Sequence, residues 1–119
     1  MNYLPPKIAD KLRNARHRLD LQSRPTGDAA DRTAAGEVIQ AFATYASTYG
    51  SVEPLTGREL ERAKSYGATV SHRLTIRYTP GVTPKHIALF QGRKLLINAA
   101  IRPSEVAAYL ELYCSEYVD

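Results

Sequence analysis

The chain has 119 residues, 44% of them hydrophobic, a formal net charge of +4 and a single cysteine, Cys114. This length and composition fit one compact domain over residues 1–119. They exclude wholesale disorder, an internal disulfide and a membrane-spanning run of about eighteen apolar residues. We expect a soluble protein of a reducing compartment, without a signal peptide, whose mild basic charge permits contact with a polyanion but does not demonstrate it.

The N-terminal third contains three different patterns. Ile8 and Leu12, four residues apart, predict a helical turn within an N-terminal extension over residues 1–12. The alternation of apolar and polar residues from 17 to 22 predicts a half-buried strand. Residues 23–37 contain no large apolar side chain, and they predict a long, polar and exposed loop.

A second strand is predicted from Val38 to Val52, where the residues alternate again. Because apolar residues fall on both sides of this alternation, we expect the strand to be buried for part of its length on both faces. Small residues near its C-terminal end, including Gly50, indicate a bend or close packing.

A short helix is predicted over about residues 57–66 because both of its ends carry recognisable signals. The predicted capping residues are Leu55, Thr56, Glu59, Leu60 and Gly67. The threonine and the glutamate have the spacing of a capping box, and the two leucines occupy the positions of a hydrophobic staple. The glycine can end the helix in the left-handed conformation. The helix has little apolar surface, so it is either a solvated decoration or a docking element.

The remaining sequence predicts further strands. Residues 70–78 alternate cleanly between apolar and polar, and Pro80–Gly81 matches the central pair of a type II turn. Residues 85–101 predict a hairpin that turns at Gln91–Gly92. The segment 104–117 fits the periodicity of a helix and that of a strand equally well, and pattern alone does not decide between them.

These elements together predict a mainly β fold. About five or six antiparallel strands, connected mostly in sequence, with one inserted helix and one long polar loop, are best accommodated by a small antiparallel β-barrel. Closure into a barrel hides the strand edges that an open sheet of this size would expose.

No catalytic constellation is recognisable in the sequence. His17, His72 and His86 lie far apart and lack the spacing of metal ligands. There is no glycine-rich phosphate loop and no nucleophile elbow, and Glu59 and Glu61 point to different faces of the predicted helix. We therefore predict no catalytic, cofactor-binding or metal-binding residue, no cofactor and no enzymatic activity.

A nucleic-acid-binding barrel is the main alternative on residue pattern alone. Arg73 and Arg77 share one face of a predicted strand, and the chain has eight tyrosines that could stack on bases. However, Tyr109, Tyr113 and Tyr117 lie in the acidic C-terminal segment, away from the basic residues. This separation favours packing or interface roles for these tyrosines.

Four stretches of the sequence occur in a characteristic order: "ARHRLDLQ", "YGSVEPLTGRELERAKSYGATVSHRLTIRYTPGVTP", "FQGRKLLI" and "YLELYC". Together they resemble the head-closure proteins of tailed bacteriophages, which are also called head–tail joining or adaptor proteins. The resemblance covers about residues 13–117, and the long middle stretch is its most specific part. The chain departs from the pattern in its longer N-terminus and in an alanine-rich segment before the last predicted element.

The resemblance implies a structural assembly protein of a virion or of a prophage-derived particle. In such proteins a small β-barrel, monomeric in isolation, forms a ring of about twelve copies at the portal vertex, closes the DNA-filled head and joins it to the tail. The implied partners are the portal or an upper adaptor ring, neighbouring copies and tail proteins, with genomic DNA passing non-specifically through the channel. The implied location is the head–tail junction, after assembly in the host cytoplasm. A tail-side completion protein of the same particle is the alternative.

Site residues follow from the resemblance combined with the charge pattern. The predicted subunit or portal interface consists of Arg58, Glu59, Arg62 and Lys64. Arg73 and Arg77 are expected to face the channel or a neighbouring copy. The helix with its small apolar stripe would then be a docking element whose partner exists only in the assembled ring.

Overall fold

Six strands and two helices, with one short 3₁₀ turn, form the part of the chain that the structure describes. The structure is a computed structural model, and it describes residues 4–13, 15–23 and 42–117. The elements are α1 (Pro6–Arg13), β1 (His17–Ser23), β2 (Ala43–Pro54), α2 (Gly57–Ala63), the 3₁₀ turn (Lys64–Tyr66), β3 (His72–Arg77), β4 (Ile87–Phe90), β5 (Arg93–Ile101) and β6 (Tyr109–Glu116). The loop expected over residues 23–37 lies outside the described residues, apart from Ser23 at the end of β1.

The six strands close into an antiparallel barrel. Their order around the barrel is β1-β2-β3-β6-β5-β4, and β4 pairs with β1 to complete it. Every one of these strands therefore has a hydrogen-bonded neighbour on both sides. The prediction of a small antiparallel barrel with an inserted helix is confirmed, and α1 adds a second helix before the first strand.

The alternation of side chains along each strand creates the barrel core. One side of each strand points inward, and the inward residues are buried against one another. The core residues are Leu19, Leu21, Leu74, Ile76, Ala88, Phe90, Leu95, Ile97, Leu110, Leu112 and Cys114. Burial of these side chains is the main force that stabilises the barrel. Burial also raises the pKa of the Cys114 thiol, which is typical of a packing cysteine and not of a reactive one.

The C-terminal segment, for which the sequence fitted a helix and a strand equally, is the strand β6. Leu110 and Leu112 point into the core, while Glu111 and Tyr113 lie on the outer face. Pairing with β3 on one side and with β5 on the other supplies the backbone hydrogen bonds. This tertiary pairing decides the conformation, and local periodicity carries no information about it.

The predicted turns are present. Gln91 and Gly92, between β4 and β5, have φ values of 49° and 78°, as in a type I′ hairpin turn. Gly81 has a φ of 89°, which fits the second central position of a type II turn. The strand predicted over residues 70–78 is present as the shorter β3.

The expectation that the second strand is buried on both faces is wrong for its described part. In β2 only Gly50 is buried, and Tyr45 and Tyr49 are 40% and 60% exposed. A barrel strand has one inner face, and in β2 that face is made of small residues such as Ala46 that pack only partly against the core. Residues 38–41 of the prediction lie outside the described residues.

Gly50 is closely packed against residues of both neighbouring strands of β2. It pairs with His17 of β1 and with Ile76 of β3. A β-carbon added at Gly50 would lie 2.7 Å from Cγ2 of Ile76 and 2.8 Å from the carbonyl oxygen of Thr75. Since a strand carbonyl cannot move aside without breaking its pairing, the site requires glycine.

We expect Gly50→Ala to destabilise the barrel by about 1–3 kcal/mol, because the added methyl group overpacks a closed site. Urea-induced unfolding followed by circular dichroism measures the change. The control is Ala43→Ser, which also adds one heavy atom to β2 but at an exposed position. It should leave the free energy of unfolding within about 0.5 kcal/mol of the parent value. Equal effects of the two substitutions would contradict this explanation of Gly50.

Candidate functional site

The helix α2 and the 3₁₀ turn form the connection between β2 and β3. Together they cover residues 57–66, the span predicted from the sequence. One small apolar cluster holds this connection against the barrel. The cluster contains Leu55, Ala63 and Val70, with Leu60 and Tyr113 packed against it. The two leucines of the predicted staple thus share one cluster, and the outer side of the helix is left to charged residues.

The predicted capping box is not formed. Thr56 is the N-cap residue, but its side chain makes no capping hydrogen bond. Gly57, the next residue, has a φ of 58°, so the start of the helix departs from helical geometry and its amides do not converge on the threonine hydroxyl. The carboxylate of Glu59 lies 3.7 Å from the guanidinium of Arg73.

Gly67 ends the connection for a different reason from the one predicted. Its φ of 161° and ψ of 137° are extended and not left-handed. A β-carbon at this position would lie 2.8 Å from Nδ2 of Asn98 in β5 and 3.3 Å from Cγ2 of Val70. Close packing against Asn98 and Val70 therefore disfavours a residue with a side chain at this position.

The four residues predicted as an interface, Arg58, Glu59, Arg62 and Lys64, are all exposed. Nζ of Lys64 lies 3.1 Å from Oε1 of Glu61, as an ion pair within one helical turn. Within the described ranges, the guanidinium groups of Arg58 and Arg62 have no ion-pair partner. These two arginines therefore carry the free positive charge of what we call the α2 surface, the exposed side of the helix formed by the four residues.

Arg73 forms ion pairs within the chain, contrary to the expectation that it faces a channel or a neighbour. Its side chain is 16% exposed, and Nη2 lies 3.1 Å from Oε2 of Glu53 and 3.7 Å from Oε2 of Glu59. The alternation of β3 shows only that this side chain points out of the barrel. It does not show that α2 and the neighbouring strand place carboxylates beside it. Arg77, at the exposed end of β3, has no ion-pair partner in the described part of the chain.

The pKa values of Glu53 and Arg73 both shift in the direction that favours the charged forms of this ion pair. Burial would lower the pKa of Arg73, but hydrogen bonds with Glu53 and Tyr113 and the neighbouring carboxylates raise it above its ordinary value. Burial would raise the pKa of Glu53, but hydrogen bonds from Lys11 and Arg73, together with their charges, lower it. Lys11 of α1 lies 2.8 Å from Oε1 of this carboxylate. One glutamate is thus shared by cations from two elements.

A cleft of about 230 Å³ lies between α2 and the outer face of the barrel. Its lining residues are Glu59, Arg62, Ala63, Tyr66, Arg73 and Tyr113. The rings of Tyr66 and Tyr113 stack with their centroids 4.7 Å apart. Sequence reasoning missed these two tyrosines and Glu53 as parts of the site, because they lie on three different elements that only the barrel register brings together.

His72 and His86 lie within hydrogen-bonding distance of hydroxyl groups of the same chain. His86 is 2.8 Å from the hydroxyl of Tyr45 and 3.1 Å from that of Thr83, and His72 is 2.7 Å from the hydroxyl of Ser71. Across residues 4–13, 15–23 and 42–117, no group of three or more His, Cys, Asp and Glu side chains could hold a metal ion. Neither of the described helices has the length and apolar character needed to cross a membrane.

Comparison with known proteins identifies the family. Residues 11–117 match the family model described as phage head completion protein, and the chain belongs to that family. The chain is also similar to the solution structure of protein SF1141 from Shigella flexneri 2a. The TM-score is 0.68 and the identity 21%, over 88% of this chain and 95% of that chain. At this identity the likeness shows the fold alone. A comparison with curated proteins found no match.

Family membership confirms the resemblance read from the sequence. The protein is a structural component of a phage virion, with a role in closing the head and in contacts with other head or tail proteins. A surface that binds other proteins is therefore the kind of functional site to expect, and the α2 surface is the candidate.

We expect Thr56→Ala to change the free energy of unfolding by less than about 0.5 kcal/mol, since the hydroxyl makes no capping bond. With a formed capping box the same change would cost about 1 kcal/mol. Gly57→Ala is the matched comparison, because a residue with a β-carbon is strained at a φ of 58°, and it should cost about 1 kcal/mol. Urea-induced unfolding of both variants measures this. A larger loss for Thr56→Ala than for Gly57→Ala would show that the box forms in solution.

We expect the stabilisation by Glu53 to depend on pH in a defined direction. A carboxyl whose pKa is lowered on folding stabilises the folded state fully above its ordinary pKa of 4.5, and this stabilisation is lost as pH falls through the lowered value. The free energy of unfolding of the parent protein should therefore exceed that of Glu53→Gln at neutral pH. The difference should shrink below the ordinary pKa. A difference that stays constant down to about pH 3 would contradict the ion-paired state of Glu53.

Proposed function

We propose that this protein forms a ring at the portal vertex that closes the DNA-filled head and joins it to the tail, as a structural connector without catalysis. The observation that carries the proposal is the match of residues 11–117 to the phage head completion family. The fold supports it, because a closed barrel is a unit that can repeat around an axis without pairing its strands with those of a neighbour.

The proposed partners are the portal or an upper adaptor ring, neighbouring copies and tail proteins. A portal with cyclic symmetry favours a ring of about twelve copies. In such a ring each copy contacts its two neighbours through two different surfaces, and the rotation between copies closes the ring. Genomic DNA passes through the channel without sequence-specific contacts. The isolated chain is a monomer that is made in the host cytoplasm and ends at the head–tail junction of the virion.

The α2 surface is the proposed docking site for the portal or for a neighbouring copy. Arg58 and Arg62 have no ion-pair partner in the described chain, so carboxylates of a partner can pair with them without first breaking an internal contact. Lys64 is already paired with Glu61, and it contributes less. Glu59 lies at the edge of the surface, where it also contacts Arg73.

Arg77 is proposed to face the channel or a neighbouring copy. It is exposed at the C-terminal end of β3, and β3 carries no other arginine besides the internally paired Arg73. A phosphate of DNA and a carboxylate of a protein are both good acceptors for a guanidinium group.

We expect Arg58→Glu/Arg62→Glu to leave the barrel folded but to impair completion of heads. Both positions are exposed, so unfolding is little affected, whereas an acidic partner surface would be repelled. The measurement is the yield of tail-joined particles after purified protein is added to DNA-filled heads that lack it. The expected loss is about tenfold or more.

The control variant is Lys7→Glu/Lys85→Glu, which makes the same change in net charge at exposed positions on α1 and before β4. This variant should complete heads normally. Equal losses for both variants would mean that net charge, and not the α2 surface, matters. Normal completion by the arginine variant would refute the docking role.

Two further outcomes separate the proposal from its alternatives. Binding to tail tubes, with no binding to heads, would identify a tail-side completion protein. Salt-dependent binding of a single-stranded oligonucleotide, with no effect on heads, would favour the nucleic-acid-binding barrel.

A further inference from the structure

Four charged side chains form a continuous network of ion pairs along the outer face of the barrel, and this network connects α1 to α2. Lys11 of α1 lies 2.8 Å from Glu53 of β2, and Glu53 lies 3.1 Å from Arg73 of β3. Arg73 in turn lies 3.7 Å from Glu59 of α2. Glu53 and Arg73 are register partners on adjacent strands, so the barrel pairing itself places the two central members side by side. We call these four residues the wall network.

Arg73 is the least exposed member of the wall network. The side chain of Arg73 is 16% exposed, and that of Glu59 is 58% exposed. Nε of Arg73 is buried and has no hydrogen-bond partner in the described structure. The guanidinium group therefore depends on its two carboxylates, because a partly buried charge without a partner is costly.

The two helices are otherwise held by separate apolar clusters. Leu12 of α1 packs with Ala107 and Tyr109, whereas α2 is held by the cluster around Leu55 and Val70. The two clusters have no residue in common. Each helix is short and has only a few buried apolar side chains, so it depends on tertiary contacts, to which the wall network contributes.

The family match begins at Lys11, so most of α1 precedes it. The helix nevertheless contacts β2 and β3, the strands that carry the centre of the wall network. An element that lies mostly before the matched region is thus connected, through the first matched residue, to the one that carries the α2 surface.

We propose that Glu53 and Arg73 are positioning residues that couple α1 to α2, so that the N-terminal helix helps to set the position of the α2 surface. The coupling follows from the sharing of one carboxylate. When Lys11 is removed, Glu53 keeps Arg73 as its one cation among the described residues, together with a long 3.4 Å hydrogen bond from the hydroxyl of Ser51. The carboxylate can then shift toward Arg73, which changes the geometry between Arg73 and Glu59. The relevance of this coupling to docking rests on the proposed function, but the coupling itself does not.

Hydrogen exchange of backbone amides, measured on the 119-residue chain, tests the coupling. Lys11→Met should accelerate exchange in α2 by about two- to fivefold, although the substitution is in α1. Glu53→Gln should accelerate exchange in both helices by about tenfold, because it leaves two cations facing each other. In the Glu53→Gln background, Lys11→Met should have no further effect on α2, since the connection is already broken.

Two variants act as controls. Lys7→Met removes another cation from α1, one that has no ion-pair partner among the described residues, and it should leave exchange in α2 unchanged. Lys11→Arg keeps the charge and should preserve the parent exchange rates in α2. Indistinguishable effects of Lys11→Met and Lys7→Met on α2 would overturn the proposal. Equal acceleration in the strands of the barrel would also overturn it, because that pattern indicates general destabilisation.

The same variants separate the coupling from the proposed function. If Lys11→Met leaves α2 unchanged while Arg58→Glu/Arg62→Glu still blocks completion of heads, the coupling is wrong and the docking site stands. If Lys11→Met loosens α2 but the arginine variant completes heads normally, the coupling stands and the docking role of the α2 surface is wrong.

Discussion

The architecture of this protein is governed by the closure of its barrel. The pairing of β4 with β1 completes a sheet in which each strand already has its other neighbour, and the inward residues fill the space that closure encloses. Because closure gives every strand of the described barrel a hydrogen-bonded neighbour on both sides, outward side chains and elements added to the barrel are the surfaces best placed to contact other proteins. The structure places α1 and α2 in that position. The barrel is therefore the scaffold, and we propose that the added elements carry the specificity of assembly.

The charges on the outer wall fall into two groups with different consequences. Lys11, Glu53 and Arg73 are paired with one another, and partial burial makes them part of what holds the helices in place. Arg58 and Arg62 are exposed without an ion-pair partner in the described chain, and they remain available to another molecule. A partner that binds α2 would therefore contact arginines without an internal ion-pair partner. Ion pairs within the chain would already help to orient the helix that carries them. This arrangement reduces the cost of ordering the surface when the partner binds.

The sequence predicted the barrel, the inserted helix and the β4–β5 hairpin because alternation and turn residues are local signals. It failed at Thr56 and Gly67, where left-handed backbone at Gly57 and close packing against Asn98 override the usual capping rules. For the site, the sequence predicted that the arginines of α2 are exposed, but it did not predict that Arg73 is ion-paired within the chain. This ion pair depends on the strand register that places Glu53 beside Arg73. Strand register is a tertiary property, and it cannot be read from a local pattern.

Cryo-electron microscopy of DNA-filled heads, with and without this protein, tests the proposed ring. We expect additional density at the portal vertex, in the form of a closed ring of barrels, with α2 of each copy at a contact with the portal or with a neighbouring barrel. Density at another place on the particle, or a ring in which α2 faces solvent throughout, would contradict it.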